Sequence, residues 1–143
     1  MNRVNGGAWR RWRVVVGSVS DTPIIAVVDD DEMVTEATGA LIETFGLAAR
    51  TFASAEAFLG SDCVSQTSCL VCDIQMPGMG GLQLQFELSK AGHKIPFILI
   101  TAFPDDATRK QALKAGATCY LIKPFSPFQL FDCIRSAIGH WDG

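Results

Sequence analysis

Short apolar runs, four of which stop abruptly at a polar or charged residue, recur along this chain with helix-compatible stretches between them. Ile24-Ile25-Ala26-Val27-Val28 runs into Asp29-Asp30-Asp31, and Cys69-Leu70-Val71-Cys72 runs into Asp73. Phe97-Ile98-Leu99-Ile100 meets Thr101, and Cys119-Tyr120-Leu121-Ile122 meets Lys123. Continuous apolar runs of four or five residues suit strands buried on both faces, the condition found in a parallel sheet. Ala48 to Phe52, less uniformly apolar, reads as a further strand.

The intervening stretches carry helix signals. Val34, Ala37, Leu41 and Phe45 recur at three- and four-residue spacing, predicting an amphipathic helix that ends at Gly46. Ser54 is placed to cap a helix over Ala55 to Leu59. Leu82, Leu84, Phe86 and Leu88 would suit a strand by spacing alone, and only the strand–helix–strand context makes that segment a helix. Asp105 to Ala115 has acids at its start and Lys114 near its end, matching the helix dipole. Ser126-Pro127 opens a last helix with a stripe of Leu130, Ile134 and Ile138. Five strands alternating with five helices predict an α/β, doubly wound parallel sheet. The flavodoxin-like strand order 2-1-3-4-5 is the arrangement expected.

At 143 residues, with 48% hydrophobic and 19% charged residues, the chain suits one globular domain rather than a disordered segment. Residues 23–143 are assigned to that domain and residues 1–22 to a flexible N-terminal extension. The extension holds Arg3, Arg10, Arg11 and Arg13 against Asp21, so the rest of the chain carries more negative charge than the overall −3 suggests. An acidic domain has no footprint for nucleic acid. Trp9 and Trp12 among those arginines read as part of a disordered tail rather than a membrane contact. No apolar stretch approaches the roughly 20 residues that span a bilayer. The five cysteines, Cys63, Cys69, Cys72, Cys119 and Cys133, are odd in number, and three lie in strongly apolar runs. A disulfide framework is not expected, and a cytoplasmic location fits better. Cys69 and Cys72 are three apart on a strand and so point to opposite faces, which argues against a shared ligand.

In an open α/β sheet, ligands bind beyond the carboxyl ends of the strands, near the point where strand order reverses. There Asp29, Asp30 and Asp73 would converge if strands one and three are neighbours. Carboxylates so crowded repel unless a cation sits among them, and Mg2+ (or Mn2+) takes such oxygen ligands while leaving room for phosphate. A carboxylate so placed can attack a phosphoryl donor, with Lys123 as a point charge and Thr101 as a hydrogen-bond donor to the transferring oxygens.

These segments resemble the receiver domains of bacterial two-component response regulators, especially those of the nitrogen-fixation regulator type. The resemblance rests on Val27-Val28-Asp29-Asp30-Asp31, on Cys72-Asp73-Ile74-Gln75-Met76-Pro77-Gly78-Met79-Gly80-Gly81-Leu82, on Ile100-Thr101-Ala102, and on Ala115-Gly116-Ala117 through Tyr120 to Lys123-Pro124-Phe125. Together they cover about residues 23–139, in the family's order and spacing. The resemblance implies that Asp73 takes a phosphoryl group from a sensor histidine kinase or phosphotransfer protein. It implies that Asp30 binds the metal directly, Asp29 mostly through water, and Gln75 through its backbone carbonyl. Thr101 and Lys123 would contact the phosphoryl group and Tyr120 would be the aromatic switch residue. The Lys123-Pro124 bond would be cis, which proline tolerates. Gln75 and Phe103, two residues beyond Asp73 and Thr101, would tune the lifetime of the phosphate. The chain would assist its own phosphorylation and dephosphorylation without being an enzyme on another substrate, and phosphorylation could drive homodimerisation.

Gly80 departs from the family, which usually has Asp or Ser there, so the third helix loses a side-chain cap; glycine is a tolerable second choice. Thr35 stands where close relatives often have arginine. No helix-turn-helix follows before Gly143, so direct DNA binding is not expected of this chain unless it is cut from a longer regulator. Two rival classes fit less well. A flavodoxin-like electron carrier needs a hydroxyl- and glycine-rich loop after strand one, where three aspartates would repel the cofactor phosphate. A haloacid dehalogenase-type phosphatase needs a second carboxylate two residues beyond its nucleophile, and Gln75 occupies that place. His93 and His140 have no evident partner in sequence.

Overall fold

The computed structural model describes residues 22–139, so the segment containing Trp9 and Trp12, and His140, lie outside the described residues. Strands and helices alternate throughout: β1 (Ile24–Val28), α1 (Glu32–Thr44), β2 (Ala48–Phe52), α2 (Ala55–Leu59), β3 (Thr67–Asp73), α3 (Gly81–Lys90), β4 (Phe97–Thr101), α4 (Asp106–Lys114), β5 (Cys119–Ile122) and α5 (Pro127–Ile138). A 3-10 turn over Val64–Gln66 leads into β3, which begins two residues earlier than its apolar run. The five strands are parallel in the order β2-β1-β3-β4-β5, the flavodoxin-like arrangement. None of the helices among the described residues is long and apolar enough to cross a membrane.

Alternation along each strand builds two separate apolar layers. Ile25, Val27, Val71, Ile98 and Ile100 face α1 and α5, where Ile42, Leu130 and Ile134 meet them. Ala26, Val28, Leu70, Cys72 and Leu99 face the other side, against Phe58 of α2, Leu84 and Leu88 of α3, and Ala112 of α4. Cys69 and Cys72 fall in different layers, as their spacing requires. Each fully buried Leu or Ile here contributes about 1.5–3 kcal/mol from burial alone, which holds the strand ends in fixed register.

Capping follows the side chains available. Asp31, Ser54 and Asp105 accept from the backbone N–H of Met33, Ala57 and Thr108, opening α1, α2 and α4. Ser126 and Gln129 form a reciprocal capping box at the start of α5, with Pro127 in its first turn.

Two expectations are corrected. Of the stripe expected in α1, Leu41 and Phe45 pack half-buried against the layer of Ile25 and Val27, while Val34 is half-buried and Ala37 exposed; the buried face is Thr35, Thr38, Gly39 and Ile42. Gly39 allows this, because a Cβ there would stand 3.2 Å from Thr51 Cγ2 of β2, while the Thr35 hydroxyl bonds the Glu32 carbonyl and loses its polarity penalty. The helix expected from context over residues 82–88 is present as α3, whose inward residues are Gly81, Leu84, Gln85 and Leu88 with Phe86 exposed under Lys90, so it follows the helical period and not the alternation of its leucines. Finally, Cys119 and Cys133 are joined in a disulfide, whereas Cys63, Cys69 and Cys72 are free. Fourteen residues separate the pair, and only the return of α5 across β5 brings their Cα atoms to 5.9 Å.

Candidate functional site

Four strands end side by side at one edge of the sheet. Val28 pairs with Cys72, Asp73 with Ile100, and Thr101 with Ile122, so the residues that close each apolar run emerge at one level. Asp29 and Asp73 are buried there and Asp30 is exposed beside them. One carboxylate oxygen from each of these three lies within 4.8 Å of the others. The aspartate run therefore divides its labour: Asp29 and Asp30 enter the cluster, while Asp31 caps α1 at 3.0 Å from the Met33 N–H.

Lys123 crosses the cluster from the end of β5. Its Nζ donates to Asp29 Oδ2 at 2.8 Å and to Asp73 Oδ2 at 2.9 Å. The other oxygens of those carboxylates accept backbone bonds, Asp29 Oδ1 from the Asp31 N–H at 3.0 Å and Asp73 Oδ1 from the Gln75 N–H at 2.9 Å. Burial pushes the Asp73 carboxyl above its ordinary range, and Asp29 adds to this; the bonds from Lys123 and Gln75 offset only part of it. Burial tends to lower the Lys123 ammonium, but the two carboxylates outweigh it and hold the lysine charged. Three carboxylates against one ammonium leave the cluster net negative. A divalent oxygen-seeking cation fits this donor set, with the Gln75 backbone carbonyl adjacent in the same loop.

Thr101, fully buried at the end of β4, is held on two sides. Its hydroxyl donates to Gln75 Oε1 at 2.6 Å and accepts from the Phe103 N–H at 2.9 Å. The first of these contacts joins residues 26 apart in the chain, so no local sequence pattern announces it. Phe103 is 72% exposed, so its ring stands largely in solvent. Tyr120 is half-buried against the layer of α2, α3 and α4, and its buried hydroxyl has no hydrogen-bond partner among the described residues. The Lys123–Pro124 peptide is cis, and the Lys123 N–H bonds the Thr101 carbonyl at 2.8 Å.

The loop after β3 closes the site from below. Gly80 has no side chain to cap α3, and a Cβ there would collide with the Ile74 carbonyl. Glycine at this position is therefore demanded by this loop's path, a stronger requirement than the mere tolerance expected. Glu56 of α2 reaches the same loop and accepts from the Met79 N–H at 3.2 Å.

Comparison with known proteins gives one consistent result. A family model described as the response regulator receiver domain matches residues 25–135. The response regulator protein TodT of Pseudomonas putida is 38% identical over 115 residues, covering 80% of this chain and 51% of TodT. The solved structure of the response regulator StyR is 39% identical with a TM-score of 0.76, covering 82% of this chain and 59% of that one. The FixJ-N crystal structure is 31% identical with a TM-score of 0.75, covering 87% of this chain and 99% of that one. The chain spans about half the length of the curated relatives it matches.

Proposed function

The chain belongs to the response regulator receiver domain family, and from that premise we propose that it accepts a phosphoryl group on Asp73 from the phosphohistidine of a sensor kinase or phosphotransfer protein. The observation that carries this reading is the Lys123 bridge, which fixes a buried carboxylate between an ammonium and two further carboxylates at the strand ends.

Asp29, Asp30, Asp73 and the Gln75 carbonyl would hold Mg2+ (or Mn2+), and a divalent ion there would neutralise the incoming phosphoryl oxygens. An Asp73 oxygen forms the new bond to phosphorus as the donor's nitrogen–phosphorus bond breaks, and the departing imidazole keeps its electron pair. Lys123 exchanges its contact with Asp73 for one to a phosphoryl oxygen. Thr101 turns its hydroxyl from Gln75 toward another. Tyr120 responds because the space beside Thr101 changes, and its unpartnered buried hydroxyl gives it little reason to keep one position. The packing of α4, β5 and α5 would then shift between two arrangements and alter contact with a protein partner, including a second copy of this chain.

On this reading the domain is residues 23–143, working in the cytoplasm, and residues 1–22 are an extension outside it. The chain by itself acts through protein contacts rather than on nucleic acid or membrane. A small phosphodonor with Mg2+ should label the protein with an acid- and base-labile phosphate at Asp73, and a chelator should abolish labelling. Undiminished labelling of Asp73→Asn would remove the assignment.

A further inference from the structure

Cys119 and Cys133 lie outside the site just described, in the same apolar layer as Cys69. Cys119 begins β5, the edge strand whose only neighbour in the sheet is β4, and it is half-buried. Cys133 faces it from α5 and is 8% exposed. The three remaining cysteines, Cys63, Cys69 and Cys72, are buried and unpaired. Their burial keeps small disulfides in solvent away from their sulfurs, so they do not compete for exchange in the folded protein. Among the described residues Cys119 and Cys133 are the one joined pair, linking the edge strand β5 to α5 with Cys119 the less buried member.

We propose that Cys119 and Cys133 form a reversible redox site, exchanging with low-molecular-weight disulfides and thiols of the glutathione class, and that its oxidised form fastens β5 to α5. Cys119, the less buried of the two, attacks first. Its thiolate forms a bond to one sulfur of the disulfide and releases one thiolate, giving a mixed disulfide. The Cys133 thiolate then attacks the Cys119 sulfur and releases the second. Two protein thiols are oxidised and one low-molecular-weight disulfide is reduced to two thiols, with the two protons passing to solvent or to the released thiolates. The closed ring runs from residue 119 to residue 133 and contains Tyr120 and Lys123, so the cross-link restrains the backbone that carries both.

The test equilibrates the whole protein in glutathione buffers of varied ratio, quenches with acid, blocks free thiols with a maleimide and maps the products by mass spectrometry. The expected result is one two-electron transition, confined to a Cys119–Cys133 linkage and absent in Cys119→Ser. Persistence of the bond in millimolar reduced glutathione under native conditions would overturn reversibility, as would failure to form it in excess oxidised glutathione. Hydrogen exchange on the unmodified protein supplies a readout that needs no variant to fold. Amides of residues 119–135 should exchange roughly threefold or more slowly when oxidised, and equal rates in the two forms would overturn the restraint.

Discussion

Thr101 has one hydroxyl proton and, in this structure, spends it on Gln75. The 2.6 Å bond to Gln75 Oε1 and a bond to a phosphoryl oxygen are therefore alternatives, because a single proton cannot serve both acceptors. Anything that recruits Thr101 toward Asp73 must first break the Gln75 contact. A neutral hydrogen bond of this kind contributes about 0.5–1.5 kcal/mol net, and the exposed Gln75 amide recovers water when released, so about 1 kcal/mol is a fair central figure. At 1.4 kcal/mol per factor of ten, that corresponds to roughly a fivefold penalty on binding of a phosphoryl mimic. Gln75→Ala should accordingly tighten binding of beryllofluoride with Mg2+ by roughly fivefold, measured by titration calorimetry. The gain should vanish in a Thr101→Val background, where there is no proton to compete for. Unchanged or weaker binding in Gln75→Ala would refute the competition, and an equal gain without the Thr101 hydroxyl would show that Gln75 acts by another route.

Further expectations follow from the same geometry. Phe103→Ala should release phosphate faster than the parent at unchanged Mg2+ affinity if the ring hinders the attacking water, and an equal or slower release would show that it does not. Because burial raises Asp73, its ionised form opposes folding at neutral pH; Asp73→Asn should raise the melting temperature of metal-free protein. That advantage should shrink as pH falls through the raised folded value and disappear below the ordinary carboxylate range, where the parent is protonated in both states. Reducing the Cys119–Cys133 bond should cost about 3 kcal/mol by the loop-entropy estimate for a ring of this size, read as a lower midpoint in urea with a steeper slope, because the unlinked unfolded chain exposes more surface. Beryllofluoride should change hydrogen-exchange protection within residues 103–135; changes limited to the loops around Asp29 and Asp73 would argue against coupling to that face.

The strands were legible because each apolar run has an unmistakable end. Val28 to Asp29, Cys72 to Asp73 and Ile122 to Lys123 are abrupt changes from apolar to polar chemistry, and a parallel sheet turns such boundaries into neighbours. The helices were less so. In α1 the buried residues include two threonines and a glycine, which a hydrophobic stripe cannot register, because their burial depends on a backbone hydrogen bond and on close approach to β2. The Gln75–Thr101 bond and the Cys119–Cys133 link both join segments whose meeting is a product of the fold. Neither has a local pattern to read, since residue type and spacing say nothing of where a loop's side chain will turn.

The strand-end arrangement also sets a condition on when the molecule can act at all. Asp29, Asp73, Thr101 and Lys123 hang from β1, β3, β4 and β5, and only Asp29 and Asp30 are neighbours in the chain. No fragment carrying fewer than these four strands holds the full set, and Lys123 reaches its carboxylates from 94 and 50 residues away. A nascent chain that ends before β5 lacks the lysine that bridges Asp29 and Asp73. The set thus depends on four strands at once, and Lys123, last of these residues in the chain, completes it.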